Sequence, residues 1–391
     1  MAIFRIILVV LCMFTATPLF ASDVLMDAGR AATIDFILEQ AILRGQIAGG
    51  IVVIGNRHGI LYSSSHGRTS SAQDAPPVNE RTLFDIASLT KVFATAPAIM
   101  KLLEDGRITL MDPLNRWFPE FEDTGREEIT ILNLLTHTSG LDDIAVPADA
   151  PLAAVIRSAT SQKQWRLPGS RFRYADINFI LLGELVQRVS GLPLDRFCRE
   201  QLYAPLGMTD TQFLPAREDA ARIAATVGQA GEQLIGVVQD VNARRLGGVA
   251  GHAGLFSNAS DLSRFVAMIM NSGHYHLGRI FSDRVVAQMT APYFYSNGTV
   301  VRGLGWDIYS PYSAPRGSSF SEMSFGHTGY SGTSIWIDTE RDLFVLLLTI
   351  RLDYRDIRQF NRLRSTISSI AVSVFAEPRN AADLSDLAAT P

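Results

Sequence analysis

Two β-rich regions lie near opposite ends of the chain, and a long, mainly helical block separates them. Residues 50–54 (GIVVI) and 60–65 (ILYSSS) flank the turn-type linker Asn56–Gly59 and predict a hairpin. Residues 334–337 (SIWI) and the apolar run 343–350 (LFVLLLTI) predict strands that return to this hairpin. The order predicts an α+β protein with one antiparallel sheet, flanked by helices, beside a mainly helical domain that closes one side of a cleft. Helices are predicted at residues 31–45, 87–104, 130–136, 177–189 and 356–375.

The amino terminus has the pattern of a secretory signal peptide. Arg5 precedes an apolar run from Ile6 to Phe14, and Pro18 and the small residue Ala21 follow. The run is shorter than the roughly 18–20 residues that a membrane-spanning helix needs. We therefore predict that residues 1–21 are cleaved and that the mature protein is periplasmic or secreted. An uncleaved segment that anchors the protein to a membrane is the alternative.

The rest of the chain is predicted as one domain, residues 22–376. Its sheet subdomain takes about residues 30–85 and 300–375, and its helical subdomain takes about residues 86–299. The tail, residues 377–391, is rich in Ala, Asp and Pro and has no apolar period, so we predict that it is frayed.

The composition excludes several classes of protein. The 391 residues include 35 Lys and Arg against 39 Asp and Glu, and 47% of them are hydrophobic. Such a chain is too hydrophobic to be disordered and lacks the basic balance of a nucleic-acid-binding protein. Cleavage would leave Cys198 as the one cysteine, and no Cys/His pair has the spacing of zinc ligands. We therefore expect no disulfide, metal or organic cofactor.

The segment Ser88-Leu89-Thr90-Lys91 can carry chemistry. A serine hydroxyl must lose its proton to a base before it can act as a nucleophile. Residues three apart on a helix share one face, so the amine of Lys91 would reach the hydroxyl of Ser88. Burial in a partly dry cleft would lower the pKa of Lys91 and let it serve as that base.

The sequence around this segment, FDIASLTKVF, resembles the nucleophile motif of the serine β-lactamase and penicillin-binding-protein superfamily. It is most similar to the branch of class C β-lactamases, DD-peptidases and related esterases. Tyr174, in RYADIN, resembles the tyrosine of the Tyr-x-Asn element, which relays protons between the serine, the lysine and the leaving group. This role requires that Lys91 lower the pKa of Tyr174 from about 10. Asp176 stands where the element has Asn, with Asn178 two residues on. The resemblance implies that Asp176 and Asn178 orient the substrate, and the departure from the element leaves open which side chain contacts it.

His327-Thr328-Gly329 resembles the third motif of the superfamily, Lys-Thr-Gly, on the strand that lines the cleft. The resemblance implies that these three residues bind the substrate. It also implies that the backbone amides of Ser88 and Tyr330 form the oxyanion hole. Histidine replaces the lysine that is commonest in β-lactamases and occurs in some DD-peptidases and D-amino-acid peptidases of this branch, which favours a peptidase.

The resemblance spans about residues 35–372 and implies a serine hydrolase. Our leading prediction is an exported DD-carboxypeptidase or D-amino-acid peptidase that forms an acyl-enzyme on Ser88 and acts on peptidoglycan-like peptides. A short-chain carboxylesterase and a class C-like β-lactamase, which acts on β-lactams, are the alternatives with the same fold. A sensor that is acylated but not released, or a module that binds cell-wall fragments, is the alternative of another class. His137 and His252 lie in framework segments and are interpreted as structural.

Overall fold

The computed structural model describes residues 19–163 and 166–376; most of the predicted signal peptide (residues 1–18) and the predicted tail (377–391) lie outside the described residues. The helices are α1 (Leu19–Leu43), α2 (Ala96–Glu104), α3 (Ile131–Leu135), α4 (Pro151–Ser161), α5 (Asp176–Ser190), α6 (Leu194–Cys198), α7 (Ala204–Leu206), α8 (Val241–Arg245), α9 (Ala259–Met270), α10 (Asp283–Thr290) and α11 (Ile357–Phe375). The strands are β1 (Ile47–Asn56), β2 (Gly59–Gly67), β3 (Phe84–Asp85), β4 (Gln212–Phe213), β5 (Thr226–Val227), β6 (Gln233–Leu234), β7 (Leu255–Ser257), β8 (His274–Tyr275), β9 (Gly278–Arg279), β10 (Phe294–Ser296), β11 (Val300–Arg302), β12 (Asp307–Tyr309), β13 (Phe325–Thr328), β14 (Ser334–Asp338) and β15 (Leu343–Arg351).

The main sheet has eight strands in the order β10-β11-β12-β13-β14-β15-β1-β2, and every neighbouring pair is antiparallel. Strand β1, from the amino-terminal part, pairs with β15, from the carboxyl-terminal part, so that Ile51 lies opposite Leu348. This confirms the prediction of one antiparallel sheet built from both ends of the chain. The subdivision of residues 22–376 into two subdomains stays a prediction.

The central strands are apolar throughout because both faces of the sheet are covered. Successive side chains of a strand point to opposite faces. Ile51 and Val53 of β1 pack with the helical block, whereas Val52 and Ile54 pack with α1 and α11. The same division runs along β15 and explains why the run LFVLLLTI lacks an alternation of polar and apolar residues.

The predicted helix at 87–104 is interrupted at the point where it carries Ser88 and Lys91. A 3-10 turn (Ala87–Leu89) and a π turn (Lys91–Thr95) precede α2. Pro97 causes part of this, because it has no N–H to donate to the carbonyl of Phe93 one turn earlier. That carbonyl instead accepts a hydrogen bond from the Tyr203 hydroxyl at 3.1 Å.

The other predicted helices are found close to their expected bounds, except that α1 begins at Leu19 and therefore runs across the predicted cleavage position. Among the described residues, none of the helices combines the length and the hydrophobicity that a membrane crossing requires.

Candidate active site

A strained turn presents Ser88 at the cleft. Ala87, directly before it, has a φ of +48°, a left-handed conformation that costs a non-glycine residue on the order of 1 kcal/mol or more. Neighbouring side chains hold this turn in place. The Asp85 carboxylate accepts a hydrogen bond from the Ala87 amide at 2.9 Å, and the Thr90 hydroxyl donates to the Ala87 carbonyl at 2.7 Å. Both partners of Ala87 are buried, and the Ser88 side chain therefore has a fixed position at the cleft edge.

The Lys91 ammonium is fully buried and surrounded by acceptors. Its Nζ lies 3.2 Å from Ser88 Oγ, 2.7 Å from Asp176 Oδ1 and 3.0 Å from the carbonyl oxygen of His252. Burial alone would lower the pKa of Lys91, but the negative charge of Asp176, together with Tyr174, outweighs burial and raises it. The contact with Ser88 agrees with the spacing of the motif. The expected lowering of the pKa of Lys91 is wrong, because Asp176 compensates its charge.

Tyr174 lies against the same lysine. Its ring centroid is 5.1 Å from Lys91 Nζ, and its hydroxyl is within hydrogen-bonding reach of both Ser88 and Lys91. Burial raises the pKa of Tyr174, and the opposing charge of Lys91 does not overcome it. The expected lowering of this pKa is therefore also wrong. At neutral pH the site holds a neutral phenol beside an ammonium–carboxylate pair.

His137, interpreted from the sequence as structural, supports Tyr174. The two rings stack with their centroids 4.5 Å apart. Burial, followed by the charges of Arg302 and Lys91, lowers the pKa of His137 well below its usual range, so the imidazole is neutral. Its Nδ1 accepts from the amide of Ala175 at 3.3 Å, which fixes the backbone directly after Tyr174.

Asp176 and Asn178 lie in different surroundings. Asp176 is the first residue of α5, lines the cleft and pairs with Lys91. Asn178 is fully buried: its amide oxygen accepts from the Ser139 hydroxyl at 2.5 Å, and its amide nitrogen bonds the Ala175 carbonyl at 3.1 Å. The expectation that Asn178 binds the substrate is therefore corrected, since its polar atoms bond within the helical block.

The end of β13 is held against the turn that carries Ser88. Gly329 packs so closely on this turn that a Cβ atom on it would lie 2.5 Å from the carbonyl oxygen of Ile86. The hydroxyls of Ser331 and Thr333 donate to the carbonyls of Asp85 and Ile86 at 2.7 and 3.0 Å. These contacts bring Tyr330 into the wall of the cleft that contains Ser88.

His327 is buried in β13, and Thr328 is half-buried at the end of the strand, directly before Gly329 and Tyr330. The binding of the substrate by His327, Thr328 and Gly329 stays a prediction. Burial, followed by the charges of Arg302 and Lys91, lowers the pKa of His327 well below its usual range. Its Nδ1 lies 2.9 Å from the carbonyl oxygen of Thr328. The ring is therefore neutral and does not supply the positive charge of the lysine that it replaces.

The cleft has a volume of about 1250 Å³. Besides Ser88, Tyr174, Asp176 and Tyr330, its walls include side chains that no sequence motif indicated. They come from loops that are far apart in the chain and include Gln239, Asp240, Arg245, Tyr354 and Arg355. Net charge and spacing gave no signal for these residues, because only the fold brings the loops together.

Asp176, Asp240 and His252 bring three ligand atoms of the types that metals bind within 4.8 Å of one another. Each of these side chains already has a partner. Lys91 pairs with Asp176, and Nε2 of His252 lies 2.9 Å from Oδ1 of Asp240. Among the described residues, this cluster is thus a network of polar contacts joined to the candidate active site.

An antiparallel sheet flanked by helices, with a serine, lysine and tyrosine meeting in a cleft beside it, defines the class of β-lactamase-fold serine hydrolases. The chain belongs to the Beta-lactamase family, whose model matches residues 28–364. The resemblance, the fold class and the assignment as a hydrolase are thereby confirmed.

The chain is similar in sequence to proteins of Salmonella over most of its length. A protein of Salmonella agona (strain SL483) named "Putative D-alanyl-D-alanine carboxypeptidase" is 28% identical over 378 residues, which cover 85% of each chain. A protein of the same name from Salmonella schwarzengrund (strain CVM19633) is 29% identical over 378 residues, again covering 85% of each.

Solved structures share the fold. A β-lactamase/D-alanine carboxypeptidase from Pseudomonas syringae superposes with a TM-score of 0.73 and 20% identity, over 90% of this chain and 100% of that one. EstCE1, a hydrolase with promiscuous acyltransferase activity, gives a TM-score of 0.72 and 22% identity, over 88% and 100%. At these identities the likeness concerns the fold alone.

Proposed function

We propose that the protein is an exported serine peptidase that forms an acyl-enzyme on Ser88 and removes D-amino acids from peptidoglycan-like peptides. The observation that carries the proposal is the contact of 3.2 Å between Ser88 Oγ and Lys91 Nζ at the wall of the cleft. A surface Ser-x-x-Lys pair would be solvated, whereas this lysine is fully buried. Its burial and its three acceptors favour a functional role for the pair.

In the proposed reaction, Ser88 Oγ attacks the carbonyl carbon of an amide. Lys91 takes the serine proton. Tyr174 stays a neutral phenol and passes the proton to the leaving amine by donating its own hydroxyl proton while it accepts one from Lys91, so the role does not need the lowered pKa expected from the sequence. Water then releases the acyl group. The backbone amides of Ser88 and Tyr330 stabilise the oxyanion, a contribution of about 3–4 kcal/mol per donor in comparable sites. The close packing of Gly329 on Ile86 supports this role, because it places the Tyr330 amide beside the Ser88 turn.

A peptide substrate of this class ends in a carboxylate, which needs a positive partner. His327 is neutral, and Lys91 is occupied by Asp176. Arg245 and Arg355 line the cleft and carry permanent charges. Arg355 already forms a bidentate ion pair with Asp353, at 3.0 and 2.9 Å. We therefore assign the binding of the terminal carboxylate to Arg245. The names of the Salmonella relatives support the same substrate class.

A short-chain ester hydrolase is the second candidate, and the neutral state of His327 favours it. An ester without a free carboxylate needs no cation beside the scissile bond. The two candidates differ in whether a free carboxylate on the substrate raises the rate. The peptidase needs Arg245 to bind that carboxylate, whereas the esterase does not use it. They share Ser88 as the nucleophile.

The test compares three substrates: N-acetyl-D-Ala-D-Ala, the same peptide with a C-terminal amide, and p-nitrophenyl acetate. The peptidase proposal predicts that the free acid is cleaved at least about tenfold faster than the amide, and that Arg245→Gln narrows this ratio. If only the ester is hydrolysed, the esterase becomes the proposed function in place of the peptidase. Acylation without release on any of the three would favour the sensor, and Ser88→Ala should abolish every activity.

Export is part of the proposal and depends on residues 1–21, most of which lie outside the described residues. Expression with the native amino terminus, followed by Edman sequencing of the periplasmic fraction, should give Ser22 as the first residue. An intact amino terminus in the membrane fraction would favour the uncleaved anchor.

A further inference from the structure

The three nearest acceptors around Lys91 determine what this lysine can do in the resting protein. An ammonium group has three donors and no lone pair. Ser88 Oγ, Asp176 Oδ1 and the His252 carbonyl oxygen match these donors, and the carboxylate is the closest of the three at 2.7 Å. Lys91 therefore faces Ser88 with an N–H and cannot remove the serine proton until it has lost one of its own.

We propose that Asp176 is a catalytic residue that accepts a proton from Lys91 while Lys91 accepts the hydroxyl proton of Ser88. This inference rests on the proposed acyl-enzyme function and names the final base of that site. Ser88 Oγ forms the bond to the acyl carbon, and the π electrons of the carbonyl move to its oxygen. When the C=O bond forms again, the bond to the leaving group breaks and its electron pair takes a proton from Lys91, by way of Tyr174. Asp176 then returns its proton to Lys91, so one proton has passed from the serine to the leaving group.

The surroundings of Asp176 keep it ionised at rest. It occupies the first position of the 15-residue helix α5, where the helix dipole favours a negative charge. The charged and titratable groups that face it are Lys91, Tyr174, Asp143, Asp240 and His252. Burial and the charge of Asp240 raise the pKa of Asp176, but Lys91 and His252 outweigh them and lower it. The carboxylate is thus available as an acceptor across the neutral range.

The loop before β7 keeps Lys91 against Asp176. Its His252 carbonyl accepts from Lys91, and its Gly251 carbonyl accepts from the Thr95 hydroxyl at 2.6 Å. Nε2 of His252 also bonds the carboxylate of Asp240, which itself caps α8 by accepting from the Ala243 amide at 2.7 Å. Asp240 and His252 are therefore positioning residues, because their contact fixes the His252 carbonyl oxygen that accepts a hydrogen bond from Lys91.

The asparagine of the related Tyr-x-Asn element suggests a variant that distinguishes two roles of Asp176, orienting the substrate and accepting a proton. If Asp176 only orients the substrate, as the asparagine of that element would, Asp176→Asn keeps the polar side chain and should keep the activity. If Asp176 accepts the proton, the amide cannot replace it. In Asp176→Asn the pKa of Lys91 falls, because burial is no longer opposed by the carboxylate, and a neutral amine forms as the pH rises.

The experiment measures kcat and kcat/KM for p-nitrophenyl acetate from pH 4 to pH 10. The nitrophenolate leaves without needing a proton, so the rate reports removal of the proton from Ser88. We expect Asp176→Asn to lower kcat/KM at pH 7 by about 10²- to 10⁴-fold, the usual contribution of a general base. The wild-type rate should stay level down to pH 4, because the pKa of Asp176 lies below its usual range. In the variant an acid limb should appear within the measured range, because the rate there depends on loss of the Lys91 proton. Asp176→Glu, which restores a carboxylate, should recover part of the rate and the level profile.

Asp143→Asn is the matched control. Asp143 faces Asp176 and accepts from the Ile177 amide at 3.0 Å, but it does not bond Lys91. The control should keep the wild-type pH profile, and thermal denaturation of every variant checks that it is folded.

The outcomes separate the inference from the proposed function. Asp176→Asn within threefold of wild type, with a pH profile as level as that of the wild type down to pH 4, would overturn the role of Asp176 alone, provided that Ser88→Ala is inactive. Ser88→Ala with wild-type turnover would overturn the proposed function and this inference together.

Discussion

The most demanding prediction concerns Gly329, a position at which the structure leaves no room for a side chain. A Cβ atom on it would lie 2.5 Å from the Ile86 carbonyl oxygen and would also overlap the Thr333 hydroxyl. A carbon–oxygen contact needs about 3.4 Å, so Gly329→Ala forces a separation of about 3.4 − 2.5 = 0.9 Å between the Tyr330 loop and the Ser88 turn. The loop has little freedom elsewhere, because the buried Arg364 donates to the carbonyls of Gly329 and Thr333 at 2.7 and 2.8 Å.

The displacement should appear in kcat. A misplacement of about 1 Å costs roughly 10²-fold, and loss of one oxyanion donor costs about 10²- to 10³-fold. We therefore expect Gly329→Ala to lower kcat by about 10²- to 10³-fold, or about 3–4 kcal/mol, with KM nearly unchanged, because the contact is made in the transition state. Steady-state kinetics with p-nitrophenyl acetate measure both parameters, and thermal denaturation measures folding.

Two variants of Thr333 provide the control. Thr333→Ala removes the hydroxyl but introduces no overlap, so its kcat should stay within about tenfold of wild type. Gly329→Ala combined with Thr333→Ala should not regain activity, since the backbone carbonyl of Ile86 remains in the way. A folded Gly329→Ala variant with kcat within threefold of wild type would refute the oxyanion role of the Tyr330 amide.

Three further predictions follow from other contacts. Lys91→Ala should lower kcat by several orders of magnitude, since residues that act as one unit share one large effect; a loss below tenfold in steady-state assays would remove it from the proton path. Asp307→Ala should lower the free energy of unfolding by about 3–5 kcal/mol, because the buried Arg302 guanidinium, 3.1 Å away, loses its carboxylate partner. Urea titrations measure this free energy, and a loss under about 1 kcal/mol would contradict the prediction. Burial alone would raise the pKa of Asp240, but the hydrogen bond and charge of His252 lower it to about 2. The ionised Asp240 therefore contributes its full stabilisation above the unfolded pKa near 4, and this stabilisation is lost as the pH falls towards 2. The stability difference between wild type and Asp240→Asn should accordingly shrink between pH 5 and pH 2, and a difference that grows over this interval would reverse the assignment.

The sheet could be predicted because its strands have a strong physical signature. Exposing the apolar run 343–350 to water would be unfavourable, and its length suits a strand that is buried on both faces of the sheet. The contact between Ser88 and Lys91 was also within reach of the sequence, although the segment forms 3-10 and π turns instead of one regular α-helix. The spacing of three residues brings the side chains together in the irregular geometry as well.

The charge state of the site could not be predicted, because it depends on a partner 85 residues away. Burial alone would have given the expected lowering of the pKa of Lys91, and one carboxylate at 2.7 Å reverses its sign. Asn178 is different, since a signal was available: residues two apart on a helix do not face the same side. With Asp176 directed to the cleft, Asn178 had to point into the helical block.

The central claim is that Ser88 is the acylated nucleophile, and intact mass spectrometry tests it most directly. The mature chain from Ser22 and its Ser88→Ala variant would be incubated with benzylpenicillin, and free penicillin would be followed over the same hours. We predict an adduct with the mass of one penicillin on the wild type and none on Ser88→Ala. An adduct of the same mass and occupancy on Ser88→Ala would place the nucleophile elsewhere and contradict the claim.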